Sequence, residues 1–184
     1  MKFVPLSIPD VIVVEPEIHR DGRGFFLETY HAPRFRAGGI DAVFVQDNLS
    51  RSVRGTLRGL HAQAARPQGK LIHVVAGEIF DVAVDIRRGS PTYLKHVSAT
   101  LSDQDGRSMW VPVGFAHGFC VLSDTADVEY KCTDVYDPKD ELRLRYDDPQ
   151  LGIRWPAPSP RLSPKDLAAL SVDALTDRFP LYRR

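Results

Sequence analysis

The sequence lacks the features that define several large classes of protein. Its two cysteines are too few for a disulfide framework, and the spacing of Cys120 and Cys132 fits no zinc module, so both are expected to be buried thiols. Basic and acidic side chains number 24 each, so the net charge predicts neither nucleic-acid nor membrane binding, although local basic residues can still meet an anionic ligand. No apolar run approaches the roughly 20 residues of a membrane helix, and the N-terminal segment is not typical of a signal peptide. These absences favour a reduced, cytoplasmic globular protein.

Cofactor motifs are missing as well. The chain has no Gly-x-Gly-x-x-Gly after a strand, no phosphate-binding Gly-x-x-x-x-Gly-Lys and no Gly-x-Ser-x-Gly elbow. Chemistry that needs only an acid and a base therefore remains open.

The hydrophobic pattern predicts an all-β protein. The length of 184 residues suits one domain, residues 1–184, and apolar residues recur mostly with period two in short runs broken by Gly, Pro, Asp and Ser. This is typical of an antiparallel jelly-roll β-barrel or sandwich with a few short flanking helices. The predicted strands are 11–15, 25–30, 42–49, 54–62, 70–76, 78–87, 92–101, 107–113, 118–123 and 126–136. The predicted helices are 33–37 and one near the C-terminus over 163–170, with serine as N-cap and proline at its first position.

The clearest strand pair pivots at Gly77. In its second half, Phe80 and the alternate residues after it face one way, whereas Asp81 and Asp85 face the other among small residues. The sequence therefore predicts that one face of this strand belongs to a core and the other carries two carboxylates.

Three stretches, 46–63, 112–119 and 129–141, carry more polar residues than a plain sandwich needs. His61 is either a hydrogen-bonded structural histidine or a base that a carboxylate orients. His117, after a Pro-x-Gly turn, is either a core histidine or a site residue. Tyr130 alternates with apolar neighbours, which is also typical of core packing. Asp166 has its own structural explanation as the third residue of a capping box. Spacing alone leaves these alternatives open.

The same residues are also candidates for a metal site. Metal-binding cupins, which the Pro-x-Gly-x-x-His stretch resembles, usually supply His-x-His. Here the pair is His61 and Gln63, and an amide is a poor substitute for imidazole. A three-ligand site of His61, His117 and a carboxylate is the alternative. We predict no metal and no cofactor.

Nine motifs follow one another in a characteristic order between residues 21 and 166. They are Asp21-Gly-Arg-Gly-Phe-Phe-Leu-Glu28, Phe44-Val-Gln-Asp-Asn48, Leu57-Arg-Gly-Leu-His61, Gln68-Gly-Lys70, Phe80-Asp-Val-Ala-Val-Asp-Ile-Arg87, Ser90-Pro-Thr92, Pro112-Val-Gly-Phe-Ala-His-Gly-Phe119, Glu129-Tyr-Lys131 and Gly152-Ile-Arg-Trp-Pro156. Each is weak alone, but in this order they resemble the dTDP-4-dehydrorhamnose 3,5-epimerase family, whose fold is a cupin-like jelly roll.

The resemblance implies a role for each matched residue. His61 would be the general base with Asp166 as its orienting carboxylate, and a side chain at that helix position is expected to serve either the histidine or the cap. Tyr130 would be the acid on the opposite face, and Lys70, positioned by Asp81, would stabilise the oxyanion. Substrate contacts would come from Arg23, Glu28, Gln46, Asn48, Arg58, Lys70, His117, Tyr136, Glu141 and Lys165, with Tyr136 stacking on the base.

The chemistry of a 4-keto sugar fits these residue types. C3 and C5 both flank the carbonyl, so each can lose a proton to give an enolate whose charge falls on the C4 oxygen, where a fixed cation stabilises it. Inversion then needs a second group on the far face. The resemblance also implies a homodimer and a dTDP-4-keto-6-deoxy sugar nucleotide as substrate.

The sequence departs from the family pattern at three positions: Ala62 and Val135 replace frequent aromatics, and Leu94 a frequent glycine. Through their effect on the shape of the pocket, Ala62 and Val135 leave open a 3-epimerase that acts on C3 alone. Two alternatives from other classes are a catalytically silent sugar-nucleotide-binding barrel and a metal-dependent cupin enzyme.

Overall fold

Two antiparallel β-sheets contain most of the regular structure. The computed structural model describes residues 1–183. Its strands are β1 (Lys2–Pro5), β2 (Ile12–Glu15), β3 (Ile18–Asp21), β4 (Gly24–Leu27), β5 (Gln46–Val53), β6 (Leu57–Gln63), β7 (Lys70–Ala76), β8 (Glu78–Asp85), β9 (His96–Ser102), β10 (Ser108–Val111), β11 (Phe115–Val121), β12 (Thr125–Cys132) and β13 (Glu141–Arg143). One sheet has the order β1-β2-β10-β7-β12-β5 and the other β13-β6-β11-β8-β9, while β3 and β4 form a separate hairpin.

The two sheets face each other around an apolar interior. Ile72, Met109 and Val128 from the six-stranded sheet meet Phe115 and Phe119 from the five-stranded sheet in one buried cluster. Burying a side chain of this size contributes about 1.5–3 kcal/mol each, which makes the interior the main source of stability. The prediction of an all-β, cupin-like jelly roll is confirmed by this arrangement.

Gly77 carries the chain from one sheet to the other. It has a φ of +84°, and a Cβ at this position would lie 2.2 Å from the carbonyl oxygen of Thr125. Only glycine accommodates both the left-handed backbone and the close approach. The turn therefore places Lys70, on β7, and Asp81, on β8, in different sheets.

Both faces of β8 are buried, which corrects the predicted division of this strand. Ile79 and Ala83 face the interior between the sheets, whereas Val82 and Val84 pack outward under the C-terminal segment, against residues such as Phe179. The sequence pattern separated the two faces correctly. It did not show that the C-terminal segment covers the second one.

The helices are short and lie outside the sheets. They are α1 (Ala32–Ala37), α2 (Pro164–Leu167), α3 (Val172–Leu175) and a 3-10 turn (Thr176–Arg178). In α1, Phe35 is fully buried and anchors the helix on the outer face of the six-stranded sheet. The predicted helix at 163–170 is wrong in length, because α2 ends at Leu167. Within residues 1–183, no helix is both long enough and apolar enough to cross a membrane.

The predicted strand 25–30 overlaps β4 but extends past its end at Leu27. A hairpin of β3 and β4 occupies this region, and its Phe25 and Phe26 are 58% and 70% exposed. The predicted 42–49 begins four residues too early, since β5 starts at Gln46, and 126–136 extends past the end of β12 at Cys132. β1, β3 and β13 were not predicted, because short strands with mixed polar residues give no periodic signal.

Candidate active site

Two adjoining cavities open at one end of the barrel. The larger, of about 560 Å³, is lined by residues of both sheets and by residues 161–166. The smaller, of about 340 Å³, shares four residues with it: His61, Lys70, Tyr130 and Glu141. The polar side chains that stand out in the sequence therefore converge on one connected space.

His61 is held by a carboxylate from a distant part of the chain. Its Nε2 lies 2.6 Å from Oδ1 of Asp166, and the Ser163 hydroxyl donates to Oδ2 of the same carboxylate at 2.7 Å. The backbone N–H of Asp166 donates to Ser163 Oγ at 3.1 Å, which caps α2. The carboxylate therefore contacts the histidine while the same residue takes part in the cap, and the two alternatives left open by the sequence are compatible.

The electrostatics of this group favour an ionised Asp166. Burial raises the pKa of Asp166, but hydrogen bonds from His61 and Ser163 outweigh it and hold the pKa below its usual value. A carboxylate on Nε2 keeps the proton of a neutral imidazole on that nitrogen. Nδ1 is then the ring nitrogen with a free lone pair, available to accept a proton.

The segment that supplies Asp166 is fixed at both ends. Arg161 donates its backbone N–H to Gly55 and accepts from Leu57, at 2.8 and 3.0 Å. Leu170 donates to the carbonyl of Arg143 at 3.0 Å, beside the five-stranded sheet. Because backbone hydrogen bonds secure both ends, α2 is positioned against the cavity although it has only one turn.

A second histidine–carboxylate pair lies deeper in the interior. His117 Nε2 is 2.7 Å from Oδ1 of Asp81, which is fully buried, and β11 pairs with β6 so that His117 lies opposite His61. Burial raises the pKa of Asp81, and the neighbouring His117 opposes this shift. Asp81 was predicted to position Lys70; the structure pairs it with His117 instead, because β8 lies beside β11 in the five-stranded sheet.

A close approach of two glycines brings the histidines side by side. Gly59 has a φ of +129°, and a Cβ there would lie 2.5 Å from Cα of Gly118 and 2.9 Å from the carbonyl oxygen of His117. β6 and β11 can approach this closely only without a side chain at position 59.

Lys70 and Tyr130 enter the cavity from the sheet that faces His61. Lys70 is 8% exposed, and no carboxylate of residues 1–183 lies within 4.0 Å of its ammonium group. Burial lowers the pKa of Lys70, with Cys132 and Glu141 acting in the opposite direction. Burial also raises the pKa of Tyr130, which keeps the phenol protonated at neutral pH.

The smaller cavity contains the predicted amide and aromatic residues. Gln46 donates from Nε2 to Asn48 Oδ1 at 2.9 Å and accepts from the backbone N–H of Tyr136 at 2.9 Å. Tyr136 and Glu141 complete the wall on the other side. Arg58 and Lys165, also predicted to contact substrate, line the larger cavity.

Three predicted site residues line neither cavity: the buried Asp81, and Arg23 and Glu28 outside the sheets. Arg23 lies in the β3–β4 hairpin with its side chain 91% exposed and pairs with Asp21 at 2.6 Å. Glu28 pairs with Arg34 at 2.8 Å. Within one chain, the structure therefore separates these two residues from His61.

Comparisons with known proteins identify the family. The model of the dTDP-4-dehydrorhamnose 3,5-epimerase family matches residues 5–174. The chain belongs to this family. It is 52% identical over 182 residues to the dTDP-4-dehydrorhamnose 3,5-epimerase of Pseudomonas aeruginosa, which covers 98% of this chain and 100% of that protein. It is 53% identical over 169 residues to the protein of that name from Neisseria gonorrhoeae, covering 91% of this chain but only about half, 52%, of the relative.

A solved structure supports the same relationship. The dTDP-6-deoxy-D-glucose-3,5-epimerase of Legionella pneumophila, in complex with dTDP-4-keto-L-rhamnose, superposes with a TM-score of 0.96 at 49% identity, and the match covers 100% of this chain and 99% of that one. The chain is accordingly an isomerase of the epimerase class by family.

Some cavity residues of this epimerase-family chain were not predicted to contact substrate. Arg143 and Arg161 both line the larger cavity, as does Ser163, which was recognised only as a helix cap. The pairing of β13 with β6 brings Arg143 beside His61, a long-range register that no local pattern contains. Among residues 1–183, no group of three or more His, Cys, Asp or Glu side chains is arranged to hold a metal ion.

Proposed function

We propose that this chain converts dTDP-4-dehydro-6-deoxy-D-glucose to dTDP-4-dehydro-L-rhamnose by inverting C3 and C5. The observation that carries the proposal is the placement of His61 and Tyr130 in opposite sheets, lining one cavity with Lys70. Membership of the epimerase family supports the substrate and the reaction.

His61 is the proposed base. With Nε2 bonded to Asp166, Nδ1 accepts the proton from the carbon beside the ketone, and the ionised Asp166 stabilises the imidazolium that forms. A positioned base of this kind contributes about 10²–10⁴-fold to the rate. Asp166 is therefore proposed to orient the imidazole ring of His61 in addition to taking part in the cap of α2.

Lys70 is the proposed stabiliser of the enolate. Proton removal shifts negative charge to the C4 oxygen, and an N–H of Lys70 donates to that oxygen as the charge develops. An ammonium with no carboxylate partner among the described residues loses no existing ion pair when the oxyanion forms. Because the C4 oxygen is neutral in the ketone and becomes negative on the way to the enolate, Lys70 interacts more strongly with the transition state than with the bound substrate.

Tyr130 is the proposed acid. It donates its phenolic proton to the carbon from the face opposite His61, and the configuration inverts. After one inversion His61 carries an extra proton and Tyr130 lacks one, so exchange with water restores both groups before the next inversion. The new C–H hydrogen therefore originates from solvent.

The nucleotide is proposed to lie in the smaller cavity. Gln46 and Asn48 offer amide groups to a base, and Tyr136 offers an aromatic face. Arg58 and Lys165 in the larger cavity, with His117, are assigned to the sugar and the diphosphate, since cationic side chains suit phosphate oxygens. The sugar ring is then next to His61.

We further propose a homodimer in which the β3–β4 hairpin of one protomer completes the cavity of the other. The hairpin exposes Phe25 and Phe26, and it carries Arg23 away from the cavity of its own chain. Mixing the inactive variants Arg23→Ala and His61→Ala tests this. A mixed dimer has one site with both wild-type residues, so activity should return; no recovery after subunit exchange would contradict the trans arrangement.

Two free, buried cysteines are consistent with the proposed cytoplasmic location, where thiols stay reduced.

The reaction is tested by adding the protein to dTDP-4-dehydro-6-deoxy-D-glucose in D2O and following the sugar by NMR. Deuterium is expected at both C3 and C5. Label at C3 alone would indicate a 3-epimerase, and binding without any label a silent binding protein; either result would refute the proposed 3,5-epimerisation.

A further inference from the structure

Arg143 lies beside the proposed base on the neighbouring strand. In the β13–β6 pair, Arg143 is directly opposite His61 and Glu141 is opposite Gln63. Residues opposite one another in an antiparallel pair project to the same face, with Cβ atoms about 4.5–5.5 Å apart. The guanidinium of Arg143 accordingly lines the larger cavity, where the imidazole is.

The guanidinium has donors left for a ligand. The nearest carboxylate to it within residues 1–183 is Glu141, with Nε 3.1 Å from Oε2, and the Arg143 side chain is 33% exposed. Arginine presents five N–H donors, and one carboxylate can accept only two of them in a bidentate contact. The remaining donors can meet an anion in the cavity.

Arg143 itself lines the larger cavity, but its two neighbours line both cavities and mark their junction: His61, opposite it on β6, and Glu141, two residues before it on β13. The proposed reaction takes place at His61, and Glu141 lines the smaller cavity together with Tyr136. In a sugar nucleotide a diphosphate joins the sugar to the nucleoside. If the sugar is at His61 and the base at Tyr136, the diphosphate must cross this junction.

The charge of the surroundings favours such an anion. The cavity also contains Arg58, Arg161 and Lys165, whereas its carboxylates are already engaged: Asp166 with His61, and Glu141 with Arg143. A bidentate guanidinium contact to phosphate is among the stronger hydrogen-bonded interactions in proteins.

We propose that Arg143 is a binding residue for the diphosphate of the substrate and that Glu141 holds its side chain in place before substrate arrives. This inference rests on the proposed function and adds a residue to its binding site. It predicts a contribution to the affinity for the nucleotide diphosphate, while the base, the acid and the oxyanion group remain His61, Tyr130 and Lys70.

The test compares dTDP binding to Arg143→Ala and to a matched control by isothermal titration calorimetry. The control is Arg145→Ala, two residues along the chain, where the arginine pairs with Asp147 at 3.1 Å and does not line either cavity. Arg143→Ala is expected to weaken dTDP binding about 10- to 100-fold, the usual loss for a charge-assisted contact. Arg143→Lys should recover part of the loss, and Arg145→Ala should bind within twofold of wild type.

Two further measurements exclude an indirect effect through Glu141. Thymidine, which lacks phosphate, should bind Arg143→Ala as it binds wild type when followed by ligand-observed NMR; an equal loss for thymidine and dTDP would mean that Arg143 only supports the cavity. In a Glu141→Gln background, Arg143→Ala should still weaken dTDP binding.

The outcomes separate this inference from the function on which it rests. Wild-type protein that binds dTDP and labels C3 and C5, together with an Arg143→Ala variant that binds dTDP equally well, would overturn the role of Arg143 and leave the epimerase proposal standing. Wild-type protein that neither binds dTDP nor labels the sugar would overturn both.

Discussion

Replacing Lys70 by methionine should make the protein more stable and less active. The lysine places an ammonium in a site that is 8% exposed, without a carboxylate of the described chain inside 4.0 Å. Burying an ion costs several kcal/mol unless partners compensate for it. Methionine retains an unbranched stem of similar size and removes the charge.

The expected gain in stability is limited, because polar groups of the cavity offset part of the cost of burying the ammonium. We expect Lys70→Met to stabilise the protein by about 1–3 kcal/mol, a fraction of the several kcal/mol that a fully unpaired buried ion costs. For a chain of this length each kcal/mol shifts Tm by roughly 2–4 °C, so Tm should rise by about 2–12 °C. Turnover should fall about 10²–10³-fold, the usual cost of removing one oxyanion donor.

The pH dependence gives an independent check. Because the pKa of Lys70 is lower in the folded state than in the unfolded chain, the unfolded state binds more protons between the two values, and the wild type gains stability as pH rises through that interval. Below the pKa that Lys70 has in the folded state, the ammonium is fully charged and its burial destabilises the protein by the full amount. The stability advantage of Lys70→Met should therefore be largest below the folded-state pKa of Lys70 and shrink as pH rises toward the ordinary pKa of lysine.

The assay is thermal or urea unfolding of both proteins at several pH values. Lys131→Met is the control, because Lys131 is on the outside of the same sheet and pairs with Asp47 at 2.9 Å; its removal should change stability by less than about 1 kcal/mol. A lower Tm for Lys70→Met than for wild type, or an advantage that grows with pH, would refute the assignment of Lys70 as a buried ammonium whose burial destabilises the fold.

Three further substitutions test how the cavity is built. Asp166→Asn should lower kcat about 10²–10⁴-fold, because the amide neither fixes the tautomer nor stabilises the imidazolium of His61; activity within tenfold of wild type would contradict the orienting role. Ser163→Ala should cost about 0.5–2 kcal/mol in urea unfolding and leave kcat within tenfold, since the Asp166–His61 contact persists; unchanged stability would argue against the cap. Gly59→Ala should destabilise by more than about 2 kcal/mol, because the new Cβ would meet Gly118 at 2.5 Å, and a variant as stable as wild type would show that β6 and β11 can separate.

The sequence predicts the sheets better than it predicts their surroundings. β7 and β8 were predicted correctly around Gly77, because alternation in both runs is long and a glycine separates them. Of the β3–β4 hairpin only β4 was predicted, within a strand over 25–30, since the apolar Phe25 and Phe26 indicate a buried strand although both are exposed in the single chain. An apolar run in the sequence does not show whether residues of the same chain cover it in the folded protein.

In the candidate site, too, the sequence predicted some residues correctly but not all of their contacts. Matched motifs named His61, Tyr130 and Lys70, and the structure brings these three together. The Asp166–His61 contact spans 105 residues, so no local pattern could show that its two carboxylate oxygens have different partners. Asp81 was assigned to Lys70 rather than to His117 for a related reason: motifs state which residues are present, whereas strand pairing, here of β8 with β11, decides which residues meet.

The most direct test of two opposed groups follows exchange and inversion separately in D2O. Wild type should place deuterium at C3 and C5 with inverted configuration, and His61→Asn should place none at either carbon. Tyr130→Phe keeps the base but loses the acid on the other face, so it should exchange hydrogen slowly at these carbons with the original configuration retained. Inversion by Tyr130→Phe at the wild-type rate, or undiminished exchange by His61→Asn, would contradict the account.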